Sequence, residues 1–165
     1  MAKTLTLVYH SLTGGTLQMA KACAAGAEEI EPGLNVRLLR AADARAEDVL
    51  SADGLVFAAP ENLASMAGVM KDFFDRTYYA VLGRIEGRPY GVMICAGSDG
   101  TGAARQIERI ASGWRLKAVA PALIVCTHAQ TPEAIAAPKV IGPDDLRRCA
   151  ELGAALASGL VLGVF

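Results

Sequence analysis

The chain has 165 residues, of which 53% are hydrophobic and only 5% aromatic, and its formal net charge at pH 7 is −1. A chain of this length is most simply one domain, residues 1–165, with a core built from Ala, Val, Leu and Ile. The near-neutral charge gives no basic surface of the kind that binds nucleic acid. It also lacks the strong acidity expected of a protein that is steered electrostatically to a basic partner.

The cysteines and the apolar segments indicate the compartment. The four cysteines are scattered and form no C-x-x-C motif, which favours buried thiols in a reducing compartment over two disulfides. The N-terminal apolar run is too short for a signal peptide, and no stretch, including the C-terminal "GLVLGVF", approaches the length of a membrane span. We therefore expect a cytoplasmic protein that binds neither membranes nor nucleic acid.

Short apolar runs alternate with helical patterns along the whole chain. Between the runs and after the last one, apolar residues recur at three- and four-residue intervals, as on one face of a helix. Pro143, followed by two aspartates, is typical of the first turn of the final helix. The predicted strands are Thr4–Tyr9, Asn35–Leu39, Gly54–Ala59, Tyr90–Ala96 and Leu116–Cys126.

Five β–α units predict an α/β fold, an open parallel sheet with helices on both faces. The second strand alternates apolar and polar residues, and Pro121 interrupts the fifth, so both are expected at the edges of the sheet. This pattern indicates a doubly wound, five-stranded sheet of order 2-1-3-4-5. Ligands of such sheets bind at the carboxyl ends of the strands, near the switch point between strands one and three.

The loop after the first strand, "HSLTGGT", combines hydroxyl side chains with glycines and contains no basic residue. At the start of a helix, unpaired N–H groups and the helix dipole favour an anion. The Walker lysine is absent, and Gly14-Gly15 cannot supply the G-x-G-x-x-G spacing. Neutral donors suit a terminal phosphate monoester that is bound but not transferred, such as that of FMN. The alternative is an ordinary helix N-cap at Thr13.

The loops after the third and fourth strands, "APENLASM" and "AGSDGTG", complete the predicted site. The first offers the Asn62 amide and an apolar side chain, which suit the edge and the face of a flat tricyclic ring. The second has three glycines, which let main-chain amides approach such a ring closely. The alternative is two plain strand-to-helix turns, capped by Glu61 or Asn62 and by Asp99.

At these loops the sequence resembles the flavodoxin-like superfamily. "SLTGGT" matches the flavodoxin phosphate-loop pattern [ST]-x-T-G-x-T. "PENLASMAGVMKDFFDR" and "ICAGSDGTGAARQIER" resemble the second and third flavin loops of NAD(P)H-dependent FMN reductases and flavodoxin-like quinone reductases. The resemblance extends over nearly the whole chain and implies a flavodoxin-like fold that binds FMN.

The resemblance also implies which residues bind the cofactor. The phosphate is expected at Ser11, Thr13, Gly14, Gly15 and Thr16. The isoalloxazine ring is expected at Pro60, Glu61, Asn62, Leu63 and Ala64, together with Gly97, Ser98, Asp99 and Gly100.

Two departures from the electron-carrier flavodoxins favour a reductase. Neither ring loop has an aromatic side chain, and the chain is not strongly acidic. The leading hypothesis is an FMN-dependent oxidoreductase that passes electrons from NADH or NADPH to a quinone, a flavin or another small acceptor. The alternatives are an electron carrier between protein partners and a non-catalytic interaction module. The apolar composition also favours a homodimer or tetramer.

No side chain is assigned an acid–base, nucleophilic or metal-binding role, because the redox chemistry belongs to the cofactor. His10 borders the first loop, and His128 follows the last strand as an expected surface side chain. The two histidines are far apart and have no cysteines clustered around them, so they do not form a metal-binding pattern. A hydrolase triad is not expected, since the chain has no G-x-S-x-G motif.

Overall fold

The computed structural model describes all 165 residues and has six parallel strand segments in one sheet. The sheet order is β2-β1-β3-β5, with β6 and β7 both pairing with β5 at the far edge. The strands are β1 Thr4–Tyr9, β2 Asn35–Arg40, β3 Gly54–Asn62, β5 Pro89–Ala96, β6 Lys117–Ala118 and β7 Leu123–Cys126, and the short β4 Ser65–Met66 pairs antiparallel with β3.

Helices cover both faces of the sheet, as predicted. The helices are α1 Gly15–Ile30, α2 Ala46–Leu50, α3 Gly68–Val81, α4 Thr101–Gly113, α5 Pro132–Ala136 and α6 Pro143–Leu162. One buried cluster joins the sheet to α1 and α6, and a second joins it to α2, α3 and α4. The structure confirms the doubly wound arrangement and both predicted edge strands.

The fifth predicted strand is not continuous. Residues 119–122 separate β6 from β7, and Pro121 lies in this gap because its ring nitrogen has no N–H to donate to the ladder. The segment still occupies the single fifth position of the predicted order, since both pieces pair with β5.

Helices α1 and α6 pack backbone to backbone through two glycines. A Cβ on Gly26 would overlap the carbonyl of Ala150, and one on Gly153 would overlap the carbonyl of Cys23. This contact places the C-terminal half of α1 directly against α6. None of the helices has the combination of length and apolar sequence that crossing a bilayer requires.

Candidate cofactor-binding site

The three predicted loops meet at the carboxyl edge of the sheet around a cavity of about 500 Å³. Eight of the fourteen predicted residues line it: Thr13, Pro60, Glu61, Asn62, Leu63, Ala64, Gly97 and Ser98. Ser11 and Gly14 line a neighbouring cavity of about 440 Å³, while Gly15 and Thr16 are buried beneath the first loop. Asp99 and Gly100 lie in the turn that leads into α4.

Helix α1 begins without a side-chain cap. Its N-cap is Gly14, in the left-handed conformation at φ 93°, and not Thr13. The Ser11 hydroxyl accepts the Gly14 N–H at 3.2 Å, but the N–H groups of Leu12 and Thr13 have no protein acceptor. The N–H groups of the first helical turn also lack intrahelical partners. The loop therefore presents a set of neutral donors at the positive end of the α1 dipole, which suits an anion.

The second loop forms a β-hairpin, which the sequence analysis did not predict. Strand β3 continues to Asn62, which pairs with Ser65 in β4 across a two-residue turn. Leu63 and Ala64 form this turn with φ of 51° and 62°, values that turns of this kind require and that non-glycine residues rarely adopt. The Leu63 side chain is fully exposed at the tip and lines the mouth of the cavity.

Helix α4 holds this hairpin in place. The Glu61 carboxylate accepts the N–H groups of Gly100 at 2.9 Å and Ala103 at 3.1 Å. The Gln106 side chain accepts the Met66 N–H at 2.8 Å and donates to the Ser65 hydroxyl. The Glu61 carboxylate is thus committed to the start of α4, and it connects the two predicted ring loops to each other.

The third loop has two main-chain N–H groups without a protein acceptor, and both belong to residues that line the cavity. The Asp99 carboxylate accepts the Thr101 hydroxyl at 2.8 Å and the Thr101 N–H at 3.3 Å, so it stabilises the turn, but the N-cap of α4 is Gly100 and not the Asp99 of the alternative interpretation. The N–H groups of Gly97 and Ser98 have no protein acceptor, whereas that of Gly100 is taken by Glu61. Two amide donors therefore remain on the cavity wall for the polar edge of a ligand.

A fourth wall, which the sequence did not predict, comes from the segment after β7. Thr127, Ala129, Gln130, Ile135 and Lys139 line the same cavity. The only sequence signals in this segment were a Thr-Pro helix start at α5 and a single lysine. Neither signal shows that the segment folds back over α1.

His10 lies beside the first loop in the neighbouring cavity. The main-chain N–H of His10 donates to the Ala58 carbonyl at 3.0 Å, and this bond connects the end of β1 to β3. Partial burial lowers the pKa of the imidazole, so the neutral form is favoured. The exposed His128 agrees with its predicted surface position.

The family model for NADPH-dependent FMN reductases matches residues 37–130, more than half of the chain. The chain belongs to the NADPH-dependent FMN reductase family. The matched range contains the hairpin and the third loop of this family member. The first loop precedes this range and residues 131–141 follow it, so the family match does not include these two parts of the site.

Curated relatives share parts of the sequence. The chain is 41% identical to a flavodoxin of Aquifex aeolicus over 102 residues, which cover 62% of this chain and 52% of that protein. It is 33% identical over 97 residues to an NAD(P)H dehydrogenase (quinone) of Acidithiobacillus ferrooxidans, covering 47% of this chain and 48% of the relative. The chain thus spans about half the length of the curated relatives that it matches.

Solved structures share the fold over nearly the whole chain. A flavodoxin from the domain Archaea superimposes with a TM-score of 0.76 at 19% identity, covering 96% of this chain and 99% of that one. A flavodoxin, WrbA-like protein from Agrobacterium tumefaciens gives 0.74 at 18% identity, with coverages of 98% and 99%. The fold is therefore flavodoxin-like, as the resemblance implied.

Proposed function

We propose that this protein binds FMN and is an oxidoreductase that passes electrons from NADH or NADPH to a small acceptor such as a quinone or a flavin. Bound FMN would supply the redox chemistry, and the protein would supply binding, access and electrostatics. The observation that supports this proposal most directly is the uncapped start of α1, where free main-chain amides and hydroxyl side chains would form a neutral anion site beside the cavity of about 500 Å³.

The residues present fit this cofactor. Thr13 and the first turn of α1 would hold the phosphate, and the donors there are suited to a group that is bound without being transferred. Gly97 and Ser98 would present their free N–H groups to the polar edge of the ring. The braced hairpin would cover one side of the ring without moving, because Glu61 fixes it to α4.

The exposed apolar side chains favour a small, flat acceptor. Leu63 is 101% exposed and Ile135 is 56% exposed, and both line the cavity. An aliphatic wall leaves one face of a flat ligand open for a nicotinamide or a quinone, whereas an aromatic side chain would stack there itself. The family membership and the quinone-dehydrogenase relatives support the same assignment.

Thr13→Asp tests the position of the phosphate. A carboxylate at the mouth of the anion site would repel a dianion, so FMN binding, followed by quenching of flavin fluorescence, is expected to weaken at least about a hundredfold. Thr13→Asn is the matched control, since asparagine has almost the same size as aspartate and carries no charge. The assignment is wrong if Thr13→Asp binds FMN as tightly as Thr13→Asn does, or if the unmodified protein does not bind FMN.

An electron carrier between proteins is the second candidate, and the 41% identity to a flavodoxin favours it. NADH and NADPH oxidation by the FMN-loaded protein, with a quinone as acceptor, separates the two functions. An oxidoreductase is expected to turn over many times, whereas a carrier is expected to oxidise these nucleotides only slowly.

Light scattering with and without FMN tests the proposed homodimer or tetramer.

A further inference from the structure

Residues 137–141, which we call the strap, are tied onto the first loop and the first turn of α1. The Lys139 N–H donates to the Thr13 carbonyl at 2.8 Å. The Gln18 side chain donates to the carbonyls of Gly14 at 2.9 Å and Lys139 at 2.7 Å, and it accepts the Ile141 N–H at 3.0 Å. One side chain on α1 therefore fastens a segment that lies more than a hundred residues away in sequence.

Lys139 is the only basic residue that lines the cavity of about 500 Å³ between the predicted loops. Its Cβ lies 3.3 Å from where a Cβ on Gly15 would be, so the residue packs against the first turn of α1. Its ammonium donates to the carbonyls of Ile135 at 2.8 Å and Ala137 at 2.6 Å. An ammonium has three N–H donors, so these two bonds fix the group and leave one donor unused.

The charge of this ammonium acts at the base of the same site. Burial raises the pKa of the Cys95 thiol, and the positive charge of Lys139 opposes that rise. The Cys95 sulfur lies 2.7 Å from where a Cβ on Gly15 would be. The lysine is therefore close enough to influence a group directly beneath the first turn of α1.

We propose that Lys139 supplies the positive charge for the phosphate of the cofactor, and that Gln18 is a positioning residue that holds the strap in place. This inference rests on the proposed function, and it adds a cation to a site whose loop offers only neutral donors. The structural alternative is that Lys139 merely satisfies the carbonyls at the end of α5. The two roles differ in whether the lysine distinguishes a phosphorylated ligand from one without a phosphate.

The experiment compares FMN with riboflavin, which has the same ring and no phosphate. Lys139→Gln is expected to raise the Kd for FMN at least about tenfold, the scale of one charge-assisted hydrogen bond, and to leave the Kd for riboflavin within about twofold. The FMN affinity of the variant is also expected to fall less steeply with added salt. Lys21→Gln, which removes an exposed lysine from the outer side of α1, is the control and is expected to change neither ligand.

Gln18→Ala tests the positioning role. It is expected to weaken FMN binding about as much as Lys139→Gln does, and the double variant is expected to lose little more, because both changes remove the same interaction. Circular dichroism and thermal unfolding establish that each variant is folded. If Gln18→Ala does not fold, the comparison of FMN and riboflavin with Lys139→Gln still decides the main assignment.

Each remaining outcome overturns a specific statement. An equal loss for FMN and riboflavin would show that Lys139 only supports the strap. No loss for either ligand would refute the role of Lys139 and leave the proposed function standing. If the unmodified protein binds neither ligand, the proposed function fails and this inference fails with it.

Discussion

The Glu61 carboxylate is expected to stabilise the folded protein, because it connects the hairpin to the start of α4. It accepts the N–H groups of Gly100 at 2.9 Å and Ala103 at 3.1 Å, both at the positive end of α4. A hydrogen bond to a charged group contributes about 1.5–3 kcal/mol, and a carboxylate at a helix N-terminus adds about 0.3–1 kcal/mol. Water can replace part of this after truncation, since the contacts are only partly buried. We therefore expect Glu61→Ala to lower the free energy of unfolding by about 2–4 kcal/mol.

Urea unfolding of the protein without added flavin measures this change, and thermal unfolding is expected to show a decrease of roughly 4–16 °C in Tm. Glu61→Gln keeps one acceptor and loses the charge, so it is expected to cost about half as much. Glu151→Ala, which removes an exposed carboxylate from α6, is the control and is expected to cost less than about 0.5 kcal/mol. A loss below about 1 kcal/mol for Glu61→Ala, or an equal loss for Glu61→Gln, would refute the reasoning.

Three further predictions follow from buried groups. The Thr6 hydroxyl is buried without a hydrogen-bond partner, so Thr6→Val is expected to raise the free energy of unfolding by about 1 kcal/mol in urea, and a decrease would contradict this. Burial lowers the pKa of His10 in the folded state. The contribution of the neutral imidazole to the free energy of unfolding is therefore expected to be full above about pH 6.5 and to fall below it, because the unfolded chain then takes up a proton. Urea unfolding curves at several pH values are expected to show a smaller loss of stability at acid pH for His10→Gln. Burial raises the pKa of Cys23 to about 12 and that of Cys149 to about 11, so a thiol reagent at pH 8 is expected to modify the half-exposed Cys126 first, as peptide mass analysis would show.

The sheet and its order could be predicted because the apolar pattern of each strand reports how many of its faces are covered. Gly54–Ala59 is continuously apolar and lies in the buried middle of the sheet, whereas the alternating β2 lies at an edge. Once the order is known, the switch-point rule selects the loops that meet at one edge. The rule selects only the loops, and the eight predicted residues that line the cavity were assigned through the resemblance to the flavodoxin-like superfamily.

The contacts that shape the site could not be predicted, because they join residues that are distant in sequence. Glu61 was interpreted as a ring contact or a cap of the next helix, and it instead binds the start of α4, about forty residues away. The hairpin was missed because Leu63 and Ala64 are unusual at positive φ, where Asn-Gly is the usual signal. Gln18 was interpreted only as part of a helix, since its partners at the strap are more than a hundred residues away.

The two helices that begin beside the cavity differ in how their first N–H groups are satisfied, and this difference would orient a ligand that has one anionic end. The start of α4 already holds a carboxylate, from Glu61, so a second anion there would be repelled. The start of α1 holds no acidic group in its first turn and has no side-chain cap. A ligand with one anionic end is therefore expected to place that end at α1, with its uncharged body toward α4 and the hairpin. This orientation requires no acidic or basic residue in the first loop, and it places the anionic end beneath the strap that carries Lys139.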